Sequence, residues 1–279
     1  MEKFYNLSND VVFKLFFTVP KNLALFINML NKNYHFISKE VMEEDIEYLY
    51  PEDLEVLLKN IEMDIKFRIK QNNSFFNIEM QKIKTKYDIG ERMAKYHSSL
   101  EKNSLVKGNI YGDAINISIW IFDYDDERLT KNKLWMEEYY LTGKNDNVII
   151  AKNFISIFAF FLNHLDKAGI IELEEFFSLF KINKQNQMEF KTEIAKEAYT
   201  MLMEINEDTK KKILAQAIED KELNERSEKY YIKQEGIELG IKQEKIQMVK
   251  SLYQNGVSLE LISKSSGLSI DEIKEIIAE

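Results

Sequence analysis

Apolar and polar positions alternate without a break in I-E-M-D-I-K-F-R-I-K, residues 61–70. Ile61, Met63, Ile65, Phe67 and Ile69 face one way, and Glu62, Asp64, Lys66, Arg68 and Lys70 the other, which predicts a half-buried strand. Q-N-N-S at 71–74 is turn-forming. F-N-I-E-M-Q at 76–81 then alternates again, with Asn77, Glu79 and Gln81 on its polar side. The two runs predict a hairpin. Pairing Lys70 with Phe75 makes paired numbers sum to 145, which sets Asp64 opposite Gln81 and Lys66 opposite Glu79. Any register that keeps the apolar faces together has an odd sum, so Asp64, Glu79 and Gln81 share one face in all of them.

Around this hairpin the periodicity is mostly helical. N-D-V-V-F-K-L-F-F, from Asn9, predicts a helix capped by Asn9 or Asp10, with Phe13, Phe16 and Phe17 in the core. Pro20 should end or interrupt it, and Leu23–Leu30 opens a second helix. A helix from about Asp88 to Lys107 carries Arg92 and Tyr96 one turn apart, and Gly108 suits the position just past its end. D-A-I-N-I-S-I-W-I-F at 113–122 is apolar enough for a strand buried on both faces. W-M-E-E-Y-Y-L and N-V-I-I-A-K-N-F-I-S-I-F predict further strands, the second being compatible with helix as well. From about Glu172 the chain reads helical. The expected organisation is a domain over 1–204 and a helical region over 205–279. In that tail G-I-E-L-G repeats a glycine at 236 and 240. Ser258 and Ser269 each open a short helix, with Gly267 between. A capped helical hairpin that makes a homodimer is the favoured reading, a helix-turn-helix the alternative.

Charge changes this picture locally. The 279-residue chain has a net charge of −9, which argues mildly against a generic nucleic-acid coat. Residues 40–64 hold ten Asp or Glu against Lys59 alone, whereas Asp64 to Lys107 holds ten Lys or Arg against five Asp or Glu. A polyanion would be met there. There is no cysteine, which excludes disulfides, thiolate metal sites and cysteine nucleophiles. The apolar stretch Phe154–Leu162 is too short to span a bilayer, and the N-terminus lacks a signal pattern, so a soluble, cytoplasmic protein with no membrane partner is expected.

Asp64 and Glu79 on paired strands are diagonal neighbours, with Cβ atoms about 7–8 Å apart. Two carboxylates so placed suit a hard divalent cation, and the backbone carbonyl of Met80 is a further oxygen within the same strand. Such an ion polarises a phosphate and acidifies a bound water. Gln81, Lys66 or Lys82 is suited to orient that water, and Arg92 to bind flanking phosphates. The competing reading of the same residues is a polar hairpin face turned to water.

Three phrases carry a family resemblance: N-D-V-V-F-K-L-F-F, then Y-P-E-D-L-E-V-L-L-K-N-I-E-M-D-I-K-F-R-I-K-Q-N-N-S-F-F-N-I-E-M-Q, then E-R-M-A-K-Y-H-S-S-L with the strand after it. Over roughly residues 8–125 the chain resembles the recombination-promoting nuclease family, also described as PD-(D/E)XK nuclease family transposases. The tail phrases G-I-E-L-G-I-K-Q and G-V-S-L-E-L-I-S-K-S-S-G-L-S resemble that family's C-terminal end. The resemblance implies an α/β, restriction-endonuclease-like central mixed sheet flanked by helices, with an all-α C-terminal extension. It implies DNA hydrolysis with Mg2+, or another divalent cation such as Mn2+ or Ca2+. The family's metal-binding aspartate falls on Asp64, its E-x-Q motif on Glu79 and Gln81, a recurring N-terminal acid on Asp10, and its R-x-x-x-Y on Arg92 and Tyr96. Two features depart from the pattern: Met63 replaces the proline before Asp64, and Asn153–Phe161 lacks an E-L-P-K-like phrase.

The expected function is a DNA endonuclease linked to recombination or mobile DNA. Its alternatives are a catalytically weak DNA-binding or regulatory protein that keeps the nuclease fold, and an interaction protein assembling through its tail. Lysine placed at Gln81 is expected to keep or raise activity, because it adds positive charge beside a developing phosphorane.

Overall fold

The computed structural model describes residues 5–49, 65–84, 88–104, 114–142, 149–150, 156–183, 189–205, 208–213, 233 and 240–278. Asp64, Gly108 and Gly236 lie outside the described residues. The chain divides into two units, Met1–Gln216 and Ala217–Glu279.

The first unit opens with α1, Asp10–Phe17, and Asn9 is its cap: the side chain accepts from the Val12 N–H at 3.2 Å. Pro20 stands at the first position of α2, Pro20–Tyr34, where its missing N–H costs nothing. The strands follow: β1 Ile46–Tyr48, β2 Ile65–Ile69, β3 Ser74–Gln81, β4 Ile115–Phe122, β5 Met136–Tyr139, β6 Leu141–Thr142, β7 Ile149–Ile150 and β8 Ser156–Phe161. Helix α3, Ile89–Ser104, lies between β3 and β4; α4, Ile171–Ser178, and α5, Glu193–Met203, come after β8. The main sheet has six strands in the order β1-β2-β3-β4-β8-β5. Its outer pairs are antiparallel, while β3, β4 and β8 run parallel. Strands β6 and β7 pair separately. The segment that was compatible with strand or helix is strand at β7 and β8, where six consecutive buried residues complete the sheet centre.

Alternation sorts the side chains into two layers. Ile117, Ile119 and Ile121 of β4, with Phe76 and Ile78 of β3 and Phe158 and Phe160 of β8, pack beneath α1, α2, α4 and α5 in the main core. Trp120, Phe122, Ile157, Ala159 and Phe161 point the other way and meet Ile89 and Met93 of α3. This is the mixed sheet flanked by helices that the resemblance implies. No helix among the described residues is long and apolar enough to cross a membrane.

The hairpin register differs from the expected one. Ile69 pairs with Ser74 and Ile65 with Ile78, so the paired numbers sum to 143 and Lys66 lies opposite Asn77 rather than Glu79. The cause is local: Lys70–Asn72 form one turn of 3-10 helix and Asn73 takes a left-handed conformation (φ 52°), which removes Lys70 from the ladder. Arg68 Nε donates to Asn73 Oδ1 at 3.1 Å and the Ser74 N–H to Asn72 Oδ1 at 3.2 Å, holding the turn. The sum stays odd, so the faces are unchanged.

In the second unit residues 240–254 are helical, followed by α6, Leu259–Ser266, and α7, Ile270–Ala278. Val249, Ile262 and Ile273 form its small core. Gly267 ends α6 with φ 71°. Ser269 and Glu272 form a reciprocal capping box at the start of α7, which holds the Glu272 carboxyl below its usual range.

Candidate active site

The polar side of β3 is roofed by α3. Arg92 meets Gln81, His97 meets Ser118 beside Asn77, and Leu100 packs on Phe75, so the helix runs opposite in direction to β3 along the face that carries Glu79. Asn77, Glu79 and Gln81 are 0 %, 1 % and 6 % exposed. The row therefore faces protein, not water, and the reading of a solvated hairpin face fails. A carboxylate so buried is costly unless a cation or donors compensate it, and it shares its face with buried Lys66, Asn77, Gln81 and Ser118, a polar set that argues for use rather than for stability.

Three elements build the surroundings of Glu79. Strand β4 brings Trp120 beside it, by the parallel register Glu79–Trp120 and Gln81–Phe122. Strand β2 brings Lys66, only 4 % exposed, whose Nζ donates to the Ser99 carbonyl of α3 at 3.4 Å. Helix α3 brings Arg92, whose Nη1 donates to Gln81 Oε1 at 3.2 Å and whose Nη2 donates to Tyr96 Oη at 3.1 Å. The guanidinium also lies over the Tyr96 ring, 5.0 Å from its centre, and that ring packs on Trp120. One row below, Ser118 Oγ donates to Asn77 Oδ1 at 2.6 Å, so its single proton is spent and His97 Nδ1, 2.9 Å away, donates to it.

The start of α3 is held in place by charge. Asp88 Oδ1 accepts the N–H of Gly90 at 2.8 Å, and Asp88 pairs with Arg128 at 3.7 Å. Arg128 in turn grips Asp126, which is 1 % exposed, and this contact holds the Asp126 carboxyl below its usual range. The Asp123 N–H donates to the Gln81 carbonyl at 2.9 Å, tying the end of β3 to the turn after β4. Burial, with the Asp126 charge adding to it, pushes the Tyr124 phenol up to about 12.

The expected residues are thus distributed unevenly. Glu79, Gln81, Lys66, Arg92 and Tyr96 gather on one side of the sheet between β2, β3, β4 and α3. Met80 is half-buried, with its side chain against the main core on the opposite side. Lys82 is exposed just past β3. Asp10 opens α1, in the opposite helical layer, and pairs with the buried Lys14 at 3.1 Å. Asn116, Ser118 and His97 were not singled out by sequence; the signal was there in β4, where Asn and Ser alternate with isoleucine.

Among the described residues no three Asp, Glu or His converge as a metal site. Glu79 is the carboxylate that they contribute. A carboxylate oxygen is a hard ligand, so Glu79 fits a hard cation such as Mg2+ better than a soft one.

Residues 7–237 match the family model described as PD-(D/E)XK nuclease family transposase. No curated protein and no solved structure matches the chain.

Proposed function

The chain belongs to the PD-(D/E)XK nuclease family transposases, and from that premise we propose that it is a divalent-metal-dependent DNA endonuclease serving recombination or mobile DNA. The observation that carries the reading is Glu79: a carboxylate 1 % exposed, on a strand of a parallel pair, with an arginine-bound glutamine two residues on. Asp64 is the covalent neighbour of Ile65, as Glu79 is of Ile78, and Ile65 and Ile78 are paired. A second carboxylate one residue from that pairing suits a shared ion.

In this reading Asp64 and Glu79, with the Met80 carbonyl, hold Mg2+ or Mn2+. When bound, the ion supplies charge to the scissile phosphate and acidifies water. The chain's own residues do the rest. Gln81 donates hydrogen bonds at the reacting centre, and Arg92 adds positive charge behind it. Lys66, enclosed under α3, offsets the carboxylates rather than meeting substrate. Lys82 and Lys84, both exposed beyond β3, are suited to the DNA backbone, where cations give affinity without sequence information.

The test is nicking of a supercoiled plasmid with Mg2+ by wild type, Glu79→Gln and Asp64→Asn. Both substitutions keep volume and remove charge, so the fold is retained. Each should lower the rate by about 100-fold or more, the scale of losing a group that acts on the transition state. Equal rates for all three would leave the non-catalytic DNA-binding reading in its place.

A further inference from the structure

We propose that Arg92 is a positioning residue that turns the Gln81 amide so that its N–H groups, not its oxygen, face the substrate, and that the pair carries the positive charge of the site. The inference rests on the nuclease reading above.

An arginine side chain holds five N–H donors and no acceptor, so the Gln81 atom 3.2 Å from Arg92 Nη1 is its oxygen. The two donors of Nε2 are then the end left for a phosphate oxygen or a water. Gln81 is the last residue of β3, and exposed Lys82 follows it, so this amide sits at the strand end where the buried row reaches the surface. Arg92 is itself fixed: its second nitrogen donates to Tyr96 Oη at 3.1 Å and its guanidinium carbon lies over the Tyr96 ring. A fork gripping two neighbours through separate nitrogens cannot be reproduced by lysine, which is a point charge on a flexible stem. The guanidinium withdraws electron density through the amide and strengthens its N–H as donors. A neutral residue on the strand therefore works with a charge held on the helix.

This arrangement reverses the expected effect of lysine at Gln81. An ammonium there would stand against the guanidinium, and like charges in a buried setting repel. Moving the charge should be tolerated only if the helix gives it up. Full-length wild type, Gln81→Lys, Arg92→Gln and the double substitution are compared in urea unfolding without metal and in plasmid nicking with Mg2+. Gln81→Lys should lower the urea midpoint and slow nicking by about 10- to 100-fold, the worth of one charge-assisted hydrogen bond. The loss should fall on kcat rather than KM. The double substitution should restore the midpoint and bring nicking back to within a few-fold of wild type.

Gln81→Lys alone with wild-type midpoint and rate overturns the proposal. So does a double substitution whose midpoint recovers but whose rate does not, and in that case the nuclease reading survives. If wild type itself does not nick while the midpoints behave as expected, the nuclease reading fails, and with it the catalytic role of the pair.

Discussion

At the scale of single residues, burial decides what a substitution reports. Glu79 is enclosed, so Glu79→Ala would mix lost chemistry with a cavity, whereas Glu79→Gln separates them. Tyr124 gives a second test. Its hydroxyl is buried with no hydrogen-bond partner among the described residues, and its pKa is pushed up to about 12 from 10.0, first by burial and then by Asp126. A folded pKa above the unfolded one means that the stability linked to this group is fully present below pH 10 and is lost as pH rises toward about 12. Tyr124→Phe should therefore be neutral or slightly stabilising at pH 7, since it removes an unpaired polar group. Near pH 11 it should exceed wild type by about 1 kcal/mol, a figure reduced for the partial solvent access of the ring. Urea midpoints at the two pH values check both parts.

At the scale of elements, polar contacts join β3, β4 and α3 where apolar ones would serve for stability alone. Ser118 is the hinge of that arrangement, accepting from His97 and donating to Asn77. Ser118→Ala should cost about 1–3 kcal/mol, because it removes the donor to the buried Asn77 Oδ1 and the acceptor of His97 Nδ1 together. Urea unfolding measures it, and a cost near zero would mean that the chain is dispensable. The hairpin carries a related lesson. Its parity, and hence the shared face of Asn77, Glu79 and Gln81, follows from the period of two. Its register does not, because the αL conformation of Asn73 and the turn over Lys70–Asn72 shift the pairing by two in the sum.

At the scale of the whole chain, the helical tail remains the proposed dimerisation element. Ile213 is 2 % exposed within the main core and Ile205 packs against it, so a truncation that spares the core falls after Gln216. The protein lacking 217–279 should keep its unfolding midpoint and its nicking activity while falling from two chains per particle to one by light scattering. Two truncated chains per particle would remove the tail from dimerisation. The second unit has apolar side chains left wet, among them Ile241, Leu261 and Tyr253 at 57 %, 58 % and 47 % exposure, and covering them is worth about 25 cal/mol per Å2.

The sequence by itself determined the caps and breaks of the first two helices, the apolar face of each central strand, and the alignment of Glu79 with Gln81. These are local matters, set by side-chain period, by Asn9 and by Pro20. It also carried the motif order by which the family is recognised. Only the tertiary structure decided that the polar row is enclosed by α3, that Arg92 takes the Gln81 oxygen, and that His97, Ser118 and Asn77 form one chain. Those contacts join residues 11 to 41 positions apart. Whether a polar strand face meets water or a helix depends on how the chain returns across the sheet, and no local pattern encodes that return.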